Sequence, residues 1–165
     1  MKEGALYTAW SPDSRLLVFM HIEKTARITG YLRFLDVSKG TFSDTVSGAL
    51  LRNCGWGMGG IAWSPDGRYL VYPGLLGESI QLFAARIDTA ANHIKGKPLQ
   101  ITSLEVGERP CFPSFTRDGK QLSYGIYGRN WDIYLMDFHM ASKRISGPSI
   151  AVATDMTWDG DFMAS

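Results

Sequence analysis

One short pattern recurs along this 165-residue chain and restricts it to a repeat architecture. The pattern is an aromatic anchor, a polar turn and an apolar run. It reads Trp63-Ser64-Pro65-Asp66-Gly67-Arg68-Tyr69-Leu70-Val71-Tyr72 in its fullest form. An earlier copy is Trp10-Ser11-Pro12-Asp13-Ser14-Arg15-Leu16-Leu17-Val18-Phe19, and a later one is Phe115-Thr116-Arg117-Asp118-Gly119-Lys120-Gln121-Leu122-Ser123-Tyr124. A worn fourth copy, Trp158-Asp159-Gly160-Asp161-Phe162-Met163, lies near the end. The anchors are spaced by 53, 52 and 43 residues. Self-similarity at such a period means units that cannot bury their hydrophobic faces alone and must stack on their neighbours.

Each unit is a series of short apolar strands broken by turns, which favours all-β blades over helical repeats. The turn chemistry is local. Pro presets φ, the carboxylates of Asp13, Asp66, Asp118 and Asp159 can accept backbone N–H bonds, and Gly67, Gly119 and Gly160 take positive φ cheaply. Variation at Ser14 and Arg117 fits a structural element. The expected fold is therefore a β-propeller of four-stranded antiparallel blades, about three full blades and the start of a fourth. The blades are expected at approximately 5–52, 53–104 and 105–150, with a partial blade over 151–165. In the first blade, strands are expected at 6–10, 16–20 and 30–37, with a loop over 21–29 and an outer strand within 45–51. The second blade is expected to have a loop over 73–78, a third strand at 79–87, a turn capped by Asp88, and an outer strand from Pro98. The third is expected to start its outer strand within 138–146, and 147–155 is expected to connect to the fourth. Propellers typically have roughly four to eight blades. The chain is thus expected to be part of a propeller, or one closed by oligomerisation.

The copy at 63–72 resembles the WD-like propeller repeat of the TolB family, as does the third copy with its continuation Gly125-Ile126-Tyr127-Gly128-Arg129-Asn130-Trp131-Asp132-Ile133-Tyr134-Leu135-Met136-Asp137. No Trp-Asp pair ends a third strand, as the ordinary WD repeat requires. Similar repeats occur in propeller domains of prolyl-oligopeptidase-like and dipeptidyl-peptidase-like hydrolases and in ligand-sensing domains. The resemblance implies a non-catalytic scaffold for protein or peptide partners. The alternatives are the propeller of a serine hydrolase whose catalytic triad lies elsewhere, and a sensor or carbohydrate-binding propeller. It also implies a structural role for Asp132 and, for an exported parent, a periplasmic location.

Composition adds exclusions. Seventeen basic and sixteen acidic residues give a net charge of +1, which provides no electrostatic footprint for nucleic acid. No run approaches the ~20 apolar residues of a membrane span, and the N-terminal residues lack an apolar leader, so a cytoplasmic chain is expected. Cys54 and Cys111 occupy unequal repeat positions and are expected to be unpaired thiols. His21, His93 and His139 lie in separate segments without ligand spacing, and no Gly-x-Ser-x-Gly elbow occurs. Neither a metal nor a cofactor is expected, and one Asp per turn supplies too few oxygens for Ca²⁺.

Binding is what remains. Propeller loops project from a rigid scaffold, where recognition residues concentrate. The glycine-rich stretch Asn53-Cys54-Gly55-Trp56-Gly57-Met58-Gly59-Gly60 crosses between blades and presents Trp56. Trp56, Glu78, Arg109, Tyr127, Arg129 and Trp131 are the expected binding face, a mixture of the residue types that dominate interface energetics. Glu108 neighbours Arg109 and is a candidate to pair with it.

Overall fold

The computed structural model describes residues 4–24, 28–44, 59–128, 131–139 and 150–156. These residues form three antiparallel sheets, none closed into a barrel. The first is a meander of β1 (Gly4–Trp10), β2 (Leu16–Lys24), β3 (Ile28–Asp36) and β4 (Thr41–Asp44). The second runs β5 (Ala62–Trp63), β6 (Tyr69–Leu76), β7 (Ser79–Asp88) and β8 (His93–Ile94), with β9 (Leu99–Gln100) also on β7. The third runs β10 (Arg109–Phe115), β11 (Gln121–Tyr127), β12 (Trp131–Asp137) and β13 (Ile150–Met156). The expected all-β partial propeller is what the chain forms.

The repeated turn joins the first two strands of each sheet with nearly identical bonds. The hydroxyls of Ser11, Ser64 and Thr116 donate to Asp13, Asp66 and Asp118 at 2.6, 2.6 and 2.7 Å. The same hydroxyls accept from the N–H of Leu16, Tyr69 and Gln121. Each Asp also accepts from the N–H two residues on, at Arg15, Arg68 and Lys120. These bonds hold the Asp13 and Asp118 carboxyls below the ordinary range, led by the Ser11 and Thr116 hydroxyls. The turns also stack from sheet to sheet. A Cβ at Gly119 would lie 3.3 Å from Pro65, and one at Gly67 would lie 3.8 Å from Pro12. Neighbouring sheets therefore share one orientation, with their repeated turns at one end.

Two apolar layers lie between the sheets. Leu16, Val18, Met20, Leu32 and Phe34 of the first sheet meet Trp63, Leu70, Tyr72, Phe83 and Ala85 of the second. The other side of the second sheet, Val71, Leu82 and Ala84, meets Leu122, Tyr124, Ile126 and Met136 of the third. β6 is thus buried on both sides, whereas burial alternates along β2, whose second side no other sheet covers. Trp63 stands edge-on to Phe34 at 6.0 Å and donates its indole N–H to the Ala9 carbonyl at 3.3 Å. A polar clasp adds to this junction. The buried Asp36 carboxylate accepts from Ser38 Oγ at 2.7 Å and Asn92 Nδ2 at 3.1 Å, and Lys39 Nζ lies 3.6 Å away. Those partners, Ser38 foremost, pull its pKa down to about 2. Arg15 reaches the Thr89 carbonyl and Asn92 Oδ1 from the same side.

Several boundaries differ from expectation. The expected loop over 21–29 is largely hairpin: His21 pairs with Tyr31, and the ladder continues to Lys24 and Ile28. An outer strand of the first sheet forms at Thr41–Asp44, directly after the turn, and the expected segment within 45–51 lies outside the described residues. Pro73–Leu76 belongs to β6, with Pro73 opposite Leu82. The Leu82 N–H and C=O both turn to the β9 side, bonding Thr102 Oγ1 and the Ile101 N–H at 2.8 Å. Pro73 is therefore in a non-hydrogen-bonded pair with β7 and costs that ladder no bond. The outer strand of the third sheet is Ile150–Met156, so Asp155 and Met156 close the third blade instead of opening a fourth. Trp158, Asp159 and Gly160 lie outside the described residues. The capped turn appears as expected, with Asp88 Oδ1 accepting from Ala90 and Ala91 N–H at 3.1 Å.

Candidate functional site

The meander places the β6–β7 and β11–β12 turns, and the start of β10, at the end opposite the repeated turns. At that end the third sheet carries one rung of three candidate residues. Arg109 of β10 pairs in register with Tyr127 of β11, which pairs with Trp131 of β12. All three are half-buried. The Tyr127 and Trp131 rings lie 4.9 Å apart at 56°, a favourable geometry for an aromatic pair. The ladder explains the convergence, since side chains directly opposite across neighbouring strands lie on one face.

Glu78 sits exposed in the turn between β6 and β7, at the same end but outside the rung. Trp56 and Arg129 lie outside the described residues, as does Cys54. Glu108 closes its own loop: its carboxylate accepts from the Glu105 N–H at 2.9 Å, and its N–H donates to the Glu105 carbonyl. That loop exposes Val106, and Gly107 supplies φ +101° within it. Asp132 is half-buried on the side facing the second sheet, beside Ile126. Burial raises the pKa of the nearby Tyr134 phenol, with the charges of Asp132 and Glu108 adding to the effect.

One residue that sequence patterning did not single out positions this end. Gln81, almost fully buried, donates through Nε2 to Ser79 Oγ and the Leu104 carbonyl, both at 2.8 Å. Its Oε1 accepts from Thr102 Oγ1 and the Leu104 N–H, both at 2.9 Å. A buried amide with its polar atoms satisfied fixes what it touches, here the crossing that leads to Arg109. No local signal marks it, because its partners Thr102 and Leu104 lie more than twenty residues away.

A second recurrent feature lines the inner strands. Tyr7, Gly60 and Phe112 each stand three residues before an anchor, and their φ values are 49°, 145° and 51°. β1 and β10 shift register at these points. The bulges interlock: the Phe112 N–H donates to the Gly59 carbonyl at 2.9 Å, and a Cβ at Gly59 would lie 2.7 Å from the Tyr7 ring. A bulky residue in this backbone region is strained.

The opposite end has a cavity of about 220 Å³ lined by Ser64, Asp66, Arg68, Tyr69, Asp118 and Phe138. Both carboxylates there are engaged in their own turns. Among the described residues no group of three or more His, Cys, Asp or Glu side chains could hold a metal ion. Cys111 is a free buried thiol whose pKa burial pushes up to about 11, unsuited to nucleophilic work. No helix among the described residues is long and apolar enough to cross a membrane.

No protein-family profile matches the chain, and no curated protein matches it. Solved structures do. A TolB from Agrobacterium tumefaciens superposes with a TM-score of 0.63 at 17% identity, covering 90% of this chain and 48% of that one. A prolyl endopeptidase gives 0.62 at 17% identity, covering 94% of this chain and 22% of that one. A puromycin-hydrolyzing peptidase from Mycobacterium tuberculosis gives 0.62 at 15% identity, covering 92% of this chain and 23% of that one. The chain thus spans under half the length of each of these structures. At these identities the likeness concerns the backbone, and it agrees with the sheets and stacked turns: the described chain is a three-bladed arc of the propeller fold found in TolB-like and prolyl-oligopeptidase proteins.

Proposed function

We propose that this chain is a non-catalytic binding module that takes protein or peptide partners at the end bearing Arg109, Tyr127 and Trp131. The observation that carries the reading is their alignment in one rung. Trp, Tyr and Arg are the residues that most often dominate interface energies. Here they stand on strands of a packed sheet, and a rigid support limits the ordering cost of binding. Completion of the ring by a second copy is part of the proposal. The test is a peptide array probed with the purified chain, followed by titration of the strongest peptide. Trp131→Ala and Arg109→Ala are expected to weaken binding at least about tenfold, with circular dichroism unchanged. Absence of any peptide above background, or equal binding by both variants, would overturn the reading.

A second reading is a propeller segment of a peptidase, favoured by the overlap with under a quarter of two peptidase chains. Sequencing the surrounding coding frame distinguishes it. An α/β-hydrolase segment joined in frame would favour this reading, and its absence would remove it.

A further inference from the structure

The two outer faces of the arc are halves of the interface the chain already builds twice. Leu17, Phe19 and His21 of β2, with Leu35, Arg33 and Tyr31 opposite them on β3, lie on the side away from the second sheet. Call this the leading face. Its positions correspond to Leu70, Tyr72 and Ala85 of the second sheet and to Leu122, Tyr124 and Met136 of the third, all buried against a preceding sheet. The trailing face of the third sheet carries Tyr127, Trp131, Ile133 and Leu135. Its Ile133 and Leu135 correspond to Leu32 and Phe34 of the first sheet, also buried against a following one.

Equivalent residues differ only in whether a neighbour covers them. Trp63 is 8% exposed and Trp10 is 55% exposed. Leu32 is 3% exposed and Ile133 is 41%. Tyr7 lies over Gly59 of the next sheet, whereas Phe112, at the same repeat position, is 56% exposed. Phe42 and Ile150 extend the two uncovered faces. Exposed large apolar side chains gathered on one face mark an interface.

Resting on the binding reading above, we infer that the leading face of one copy packs on the trailing face of a second, so that two chains close one six-bladed ring and Tyr31 completes the partner copy's Arg109–Tyr127–Trp131 rung. The contact is heterologous, and its two sides are the ones that already meet inside each chain. Two copies of a three-bladed arc close within the roughly four to eight blades of known propellers, and three copies exceed it. Tyr31 lies at the end of the leading face that carries the binding rung on the trailing face. Its half-buried ring lies 4.8 Å from that of His21, which is itself buried within the chain and backs it from behind. The completed site would be an aromatic pocket with one arginine, suited to an aromatic or carboxylate-bearing peptide segment.

The test is native mass spectrometry of the full chain with two variants, Leu17→Glu and Leu135→Glu. The wild type is expected at twice the 18.3 kDa chain mass, and each variant alone as a monomer. An equimolar mixture of the two variants retains one intact leading–trailing interface and is expected to recover a mixed dimer. That recovery also proves both variants folded. A monomeric wild type, a dimer lost in only one variant, or no recovery on mixing would overturn the inference. The shared site is tested without a ligand by Trp131→p-benzoylphenylalanine photocrosslinking between isotopically light and heavy copies. Interchain crosslinks to β2 or β3 are expected, and crosslinks confined within one chain would overturn the shared site. Neither result bears on whether Trp131 binds peptide, so ring closure, which both readings include, fails separately from peptide binding.

Discussion

Ser14, Gly67 and Gly119 occupy one position of the repeated turn, with φ values of 57°, 70° and 70°. The left-handed backbone costs a residue with a Cβ about 1 kcal/mol. Gly67→Ala should lose about that much, because its new methyl would sit 3.8 Å from Pro12, an ordinary contact. Gly119→Ala adds a steric penalty. Its methyl would sit 3.3 Å from Pro65 Cδ, a ring atom that cannot rotate away, and the total should be about 2 kcal/mol. Urea unfolding of the two variants measures the difference. Equal losses would mean that the stacked turns slide past each other instead of locking the blades. The bonding of this turn was legible in the residues themselves, since Ser or Thr, Asp and Gly act within six positions of one another. The strained bulge was not. Only Gly60 marks it in the sequence, and Tyr7 and Phe112 adopt its backbone because hydrogen bonding and packing between sheets hold them there.

Strand positions were legible wherever a strand has a covered face. β2, β6 and β11 follow the turns as the apolar strands that the repeat predicts. The outer strand of the second sheet, β9, lies where it was expected, just after Pro98, but those of the first and third sheets were not legible, for a physical reason: facing solvent, they need little apolar pattern. β4, Thr41–Asp44, is four mostly polar residues, and Ile150–Met156 was obscured by the turn motif just beyond it. Pro73 looked like a strand end because its pairing to a non-hydrogen-bonded site depends on Thr102, far along the chain. The candidate site was legible as residue types at one end. Its assembly into a rung depended on the β10–β11–β12 register. The two-sided burial of β6 has a testable consequence. Tyr72 is almost fully buried between the first two sheets, its ring stacked on Phe83, and among the described residues its hydroxyl has no hydrogen-bond partner. An unsatisfied buried hydroxyl costs about 1–3 kcal/mol. Tyr72→Phe keeps the ring and removes that group, and thermal unfolding should show a stabilisation of about 1 kcal/mol. A loss of stability would mean that the hydroxyl is satisfied by bound water.

The arc as a whole makes one residue type serve two purposes. Trp63 and Trp10 are equivalent anchors, but Trp63 closes an internal layer and Trp10 stands on an open face. Trp63→Ala removes a ring from a packed layer together with its bond to Ala9, and should cost about 3–5 kcal/mol. In a dilute single chain, Trp10→Ala removes an exposed ring and should change stability by no more than about 0.5 kcal/mol. The distinction sharpens as protein concentration rises. Partners that bind only the folded state raise its stability by mass action, so the wild-type Tm should climb with concentration as copies associate. Trp63→Ala should lower the whole curve, whereas Trp10→Ala should flatten it and leave its dilute limit in place. Calorimetric scans across a hundredfold dilution series separate the two effects. A Trp10→Ala curve displaced downward by the same amount at every concentration would assign that ring to the stability of its own blade. It would also remove the leading face from the assembly.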